Sequence, residues 1–121
     1  MKKKIMIVED SSLMVVVINN FIKKSGLDVE VTSASSGEEA IRLYTQERPN
    51  LVFMDILMPD MDGITALEKI KEIDPNAKVV MCTSLREPCD EERARKAGCS
   101  GYIMKPFSSQ DIRDALEENL K

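Results

Sequence analysis

The chain has 121 residues, 43% hydrophobic but only 4% aromatic, and a formal net charge of -4. That length suits one domain, residues 1–121, with a core filled mainly by aliphatic side chains. The acidic balance argues against nucleic acid as a direct partner, and the apolar run Ile5 to Val8 is too short for a signal peptide or membrane insertion, so a cytoplasmic protein is expected.

Ile5 to Val8 reads as a first strand ending at Glu9-Asp10. Ser11 or Ser12 can cap the helix that follows, which Gly26 stops after Lys23 and Lys24. Met14, Val17, Ile18, Phe21 and Ile22 follow helical spacing, while Val15 and Val16 fall off that stripe and are expected to be partly exposed. Val29 to Ser33 alternates in the manner of a short strand near a sheet edge. Ser36 with Glu39 then forms a capping-box pattern, and Ala40, Ile41 and Tyr44 supply the inner face of a second helix. Leu51-Val52-Phe53-Met54 is uniformly apolar, as in a strand buried on both faces, and ends abruptly at Asp55.

A loop from Ile56 to Gly63 leads into a helix carrying Ile64, Leu67, Ile70 and Ile73. Lys78 to Cys82 forms a fourth strand ending at Thr83-Ser84. Asp90 to Lys96 is highly charged, with Ala94 and Ala97 as its inward residues, and is read as a short helix ended by Gly98 or Gly101. Tyr102-Ile103-Met104 makes a last strand running into Lys105-Pro106. Ser108 caps a final helix whose inner face is Ile112, Ala115, Leu116 and Leu120. Five βα repeats with right-handed crossovers predict an α/β fold: a doubly wound, flavodoxin-like three-layer sandwich on a parallel five-stranded sheet of order 2-1-3-4-5. Cys82, Cys89 and Cys99 lack metal-ligand spacing and the chain has no His, so three free thiols are expected, Cys82 buried and Cys89 accessible.

In such a sheet the polar residues that end the strands share one rim. Glu9 and Asp10, Asp55, Thr83 and Lys105 therefore converge. Each alone could be a helix cap; together they place three carboxylates beside one lysine, and that charge calls for neutralisation. An all-oxygen set without His favours Mg2+. A carboxylate can act as a nucleophile toward phosphorus, with Mg2+, Lys105 and the Thr83 hydroxyl offsetting the charge on the transferred group.

The segments Val8-Glu9-Asp10-Ser11, Met54-Asp55-Ile56-Leu57-Met58-Pro59-Asp60-Met61-Asp62-Gly63, Met81-Cys82-Thr83-Ser84 and Gly101-Tyr102-Ile103-Met104-Lys105-Pro106-Phe107 resemble the receiver domain of two-component response regulators, and more loosely its stand-alone chemotaxis type. The resemblance implies that Asp55 is the phosphoacceptor, loaded by a sensor histidine kinase. It implies that Asp10 and the Leu57 backbone carbonyl join Asp55 as metal ligands, with Glu9 acting through a metal-bound water. Thr83 and Lys105 would hold phosphoryl oxygens, Tyr102 would be the aromatic switch, and the bond before Pro106 would be cis. The resemblance implies a downstream protein target, with a motor-switch component as one candidate. In this chain Glu9 replaces the commoner Asp, Val15 stands where many chemotaxis-type members carry Arg, and Cys99 takes a usual Ala position as a small buried side chain.

A phosphorelay receiver or a truncated transcription regulator are alternatives within this class. A haloacid-dehalogenase-type phosphohydrolase would need a second Asp where this chain has Leu57. A flavin carrier would place its phosphate against Glu9-Asp10, which repel it. An EF-hand around Asp60 to Gly63 would need an acidic or amide residue at Met58.

Overall fold

The computed structural model describes residues 2–59, 61–84 and 88–120. Strands β1 (Lys3–Val8), β2 (Val29–Ala34), β3 (Leu51–Met54), β4 (Val79–Thr83) and β5 (Gly101–Met104) alternate with helices α1 (Ser12–Lys24), α2 (Gly37–Glu47), α3 (Gly63–Ile73), α4 (Pro88–Lys96) and α5 (Ser109–Asn119). Every neighbouring pair is parallel, in the order β2-β1-β3-β4-β5. This is the predicted doubly wound sheet. Its order reverses between β1 and β3, which opens a crevice at their carboxyl ends.

Alternation along the strands builds two cores. Met6, Val8, Val52, Met54, Val79 and Met81 face Tyr44, Ile64, Leu67 and Ile70 of α2 and α3. Ile5, Ile7, Leu51, Phe53, Val80 and Cys82 face Ile18 and Ile22 of α1 and Ile112 and Leu116 of α5. Because helices cover both faces, β1, β3 and β4 read as continuous apolar runs. β2 lies at the edge of the sheet, as predicted, but its burial alternates only over Val29 to Val31, Thr32 being half-buried and Ser33 exposed.

Local chemistry sets the helix ends. The Ser11 hydroxyl accepts from Met14 N at 3.3 Å and the Ser36 hydroxyl from Glu39 N at 3.2 Å. The expected capping box at Ser36 is only half formed, because the Glu39 carboxylate accepts from Ser35 N at 2.7 Å rather than from Ser36 N. A full reciprocal box lies at α5 instead, between Ser108 and Asp111. Gly98, at φ +97, ends α4, because that left-handed conformation suits a residue without Cβ.

Val16 is 53% exposed, as expected. Val15 is half-buried because it also leans on the core beneath α1. Cys82 is buried and Cys89 exposed, but Cys99, expected to be buried, is only half-buried. Among the described residues no helix is long and apolar enough to cross a membrane. Asp60, part of the predicted loop, lies outside the described residues.

Candidate functional site

Strand register brings the rim together. Val8 is level with Met54 in the β1–β3 pair, and Asp55 N donates to Val8 O at 3.0 Å, so Glu9 and Asp55 leave the sheet side by side. Thr83 is level with Met104, and Lys105 N donates to Thr83 O at 2.8 Å, which delivers Lys105 from the other side. Glu9 is 4% exposed, Asp55 5% and Thr83 0%, while Asp10 stands exposed at the mouth.

One carboxylate oxygen from each of Glu9, Asp10 and Asp55 lies within 4.8 Å of the others. The Lys105 ammonium donates to Glu9 Oε2 at 2.9 Å and lies 3.5 Å from Asp55 Oδ2. Glu9 Oε1 accepts from Ser11 N at 3.4 Å, and Asp55 Oδ1 accepts from Leu57 N at 3.3 Å.

The electrostatics follow from that count. Burial pushes the Glu9 carboxyl up to about 7, with the Asp55 charge acting in the same sense and Lys105 opposing both. For Lys105 burial pulls downward, but the hydrogen bond to Glu9 and the charges of Asp55 and Glu9 outweigh it, and the ammonium is held above its ordinary value. Burial of Glu9 beside Asp55 raises the one, and the two carboxylates within reach of the ammonium raise the other. An all-oxygen set with surplus negative charge, two of its members buried, fits a hard divalent cation. The residues present therefore suit Mg2+.

Other predicted residues take clear positions. Tyr102 is half-buried on β5, level with Met81 of β4, and burial, then Asp90 and Glu91, raise its phenol above the ordinary range. Leu57 exposes half of its side chain at the rim. The peptide between Lys105 and Pro106 is cis, as the resemblance implied. Asp62 stands apart from the acidic cluster: its Oδ1 caps α3 by accepting from Thr65 N at 2.8 Å, and its Oδ2 faces Arg93 of α4 at 3.8 Å.

Sequence reasoning missed Gly63. A Cβ there would fall on the Asp55 carbonyl oxygen, and Gly63 N donates to Ile56 O at 2.9 Å. The first turn of α3 thus packs directly on the backbone that carries Asp55. Gly63 closes the segment from Met54 that carries the family resemblance, but a glycine at a helix start was read there as turn chemistry.

The response regulator receiver domain family matches this chain over residues 5–117. The chemotaxis protein CheY of Bacillus subtilis (strain 168) is 38% identical over 120 residues, 99% of each chain. CheY of Thermotoga maritima is 37% identical over 118 residues, 98% of each. Among solved structures, the CheX-CheY-BeF3-Mg2+ complex from Borrelia burgdorferi aligns with a TM-score of 0.90 at 30% identity, over 98% of this chain and 90% of that one. A CheY-like receiver domain protein from Methanospirillum hungatei gives 0.91 at 30% identity, over 99% and 94%. Identity at this level over nearly the whole length is more than a shared fold requires, and the chain belongs to the response regulator receiver domain family.

Proposed function

We propose that this chain, residues 1–121, is one receiver domain acting as a phosphorylation-dependent signalling switch whose phosphoacceptor is Asp55. The observation that carries this reading is a buried aspartate at the end of the central strand, flanked by Glu9 and Asp10 on one side and the Lys105 ammonium on the other. An Asp55 carboxylate oxygen attacks the phosphorus of a sensor kinase phosphohistidine. The N–P bond breaks, and the departing imidazole takes up a proton.

Mg2+, held by Asp10, Asp55 and the Leu57 carbonyl with Glu9 acting through a bound water, would supply charge neutralisation at the transferred group. Lys105 moves to a phosphoryl oxygen, and the Thr83 hydroxyl holds another. Drawing Thr83 inward vacates space beside β4, and Tyr102 rotates into it. The change is read on the surface of α4, β5 and α5 as altered protein contacts. The chain promotes its own loading and clearing and turns over no separate substrate. Leu57, where a phosphohydrolase would need an acid–base carboxylate, supplies no proton.

The resemblance to CheY proteins supports a place in chemotaxis or motility control, in the cytoplasm, between a sensor histidine kinase and a target such as a motor-switch component. A phosphorelay is the second reading, favoured by 34% identity to sporulation initiation phosphotransferase F of Bacillus subtilis over 99% of this chain. Intact-mass measurement after acetyl phosphate and Mg2+ should find one phosphoryl group, mapped to Asp55. A label on Asp60 or Asp62 instead would overturn the assignment. Capture of a target only by the loaded form, from motility or from relay components, separates the two pathways.

A further inference from the structure

We infer that Glu9 is a positioning residue that latches Lys105 in the resting site, and that its length sets how readily Lys105 is released to a phosphoryl group on Asp55. The second half rests on the phosphoacceptor reading above. Lys105 follows β5, two strands from the β3 of Asp55 and three from the β1 of Glu9, and has both carboxylates in reach. Its ammonium stands 2.9 Å from Glu9 Oε2 but 3.5 Å from Asp55 Oδ2. A charge-assisted N–H···O bond is shortest and strongest near the former distance. Of the two carboxylates, Glu9 therefore makes the shorter and stronger hydrogen bond, and Asp55 the longer and weaker one.

The hold is built into the fold. Glu9 N donates to Ala34 O at 2.9 Å, which fixes the backbone, and Ser11 N reaches the second carboxylate oxygen at 3.4 Å. The Glu9 side chain is 3% exposed and that of Lys105 18%. A charge this buried does not leave one partner without another in reach.

The deciding feature is one methylene. An Asp at position 9 would withdraw the carboxylate by about 1.5 Å, one carbon–carbon bond, beyond hydrogen-bonding distance of Lys105 Nζ. The ammonium would then settle on Asp55. With Glu9 present, loading has to break the Glu9–Lys105 bond. The ammonium passes from Glu9 to a phosphoryl oxygen, and the latch resists that step.

The test uses the resting protein, free of Mg2+ and phosphodonor. The Lys105 side-chain ammonium signal is followed by 15N NMR and assigned by its loss in Lys105→Arg. It is expected to persist in Asp55→Asn and to shift or vanish in Glu9→Asp and Glu9→Gln. A signal unmoved in Glu9→Asp but lost in Asp55→Asn would show that Asp55 holds Lys105 and overturn the latch. At saturating Mg2+, acetyl phosphate is expected to load Glu9→Asp about threefold to tenfold faster than the parent, the rate equivalent of a partly offset charge-assisted hydrogen bond. An unchanged or slower rate overturns the release step. A parent chain that accepts no phosphoryl group overturns the phosphoacceptor reading instead, while the ammonium signal still decides the latch.

Discussion

The two ends of the sheet handle polar groups in opposite ways. At the amino end the buried Tyr44 and Asn119 have settled partners. Tyr44, 2% exposed, donates to Asp74 Oδ2 at 2.8 Å, and Asn76 N donates to Asp74 Oδ1 at 3.0 Å. Arg48 lies 3.8 Å from Asp74 and over the Tyr44 ring. Lys78 donates to Asn119 O at 2.9 Å, and the Asn119 amide donates to Ala115 O at 2.7 Å. At the carboxyl end, Glu9, Asp10 and Asp55 crowd together with surplus charge. One end satisfies its polar groups within the fold, while the other carries surplus negative charge, a division common where stability and activity compete.

The sharpest way to break this comparison is Asp55→Asn. Phosphoryl uptake should vanish in the intact-mass assay, yet the metal-free variant should melt higher than the parent, by about 0.5–2 kcal/mol of stability, because one repelling charge is gone. A variant that melts lower would mean that the carboxyl rim is not stored repulsion. Adding Mg2+ should close the gap from the other side: at a hundredfold excess over its Kd the parent should gain about 2.7 kcal/mol, read as a rise in melting temperature that Asp55→Asn largely lacks.

Gly63→Ala strikes both roles at once. Its methyl group would displace the Asp55 carbonyl, costing about 1–3 kcal/mol as overpacking does, and should slow loading as the carboxylate shifts. Denaturant melts and the acetyl phosphate assay read the two losses separately.

Tyr44→Phe should do the reverse of Asp55→Asn. It should cost about 1 kcal/mol, one net hydrogen bond, and leave loading unchanged. The pH dependence gives the smallest effect. The Tyr44 hydroxyl, then Asn76 N, hold Asp74 below the usual carboxylate range. A lowered folded-state pKa means that this contribution is complete above about pH 4 and is lost as pH falls through the depressed value. Burial, then Asp74, push the Tyr44 phenol up, so its contribution is lost as pH rises past about 10. Urea melts of Tyr44→Phe across pH should show both limbs flattened.

Much of the molecule was legible before folding. Hydrophobic periodicity placed most of the described elements, because helices on both faces make the central strands uniformly apolar, whereas the highly charged α4 was placed by its bounding glycines and its two inward alanines. Element ends moved by a few residues: β1 begins at Lys3 because β2 continues to pair with it there, Lys3 opposite Val29. The reciprocal cap went to Ser108 rather than Ser36, a choice that depends on rotamers the sequence does not encode.

For the site, the order of residue types along the chain already implied that Glu9, Asp10, Asp55, Thr83 and Lys105 follow parallel strands, and so meet on one rim. That follows from βα order and handedness alone. It took the packed fold to bring Lys105 closer to Glu9 than to Asp55, to press α3 so near the Asp55 backbone that only a glycine fits, and to pair Tyr44 with Asp74. Each of these turns on distances of an ångström or less between groups fixed by different elements. Patterns of residue type place the elements, but packing sets the gaps between them.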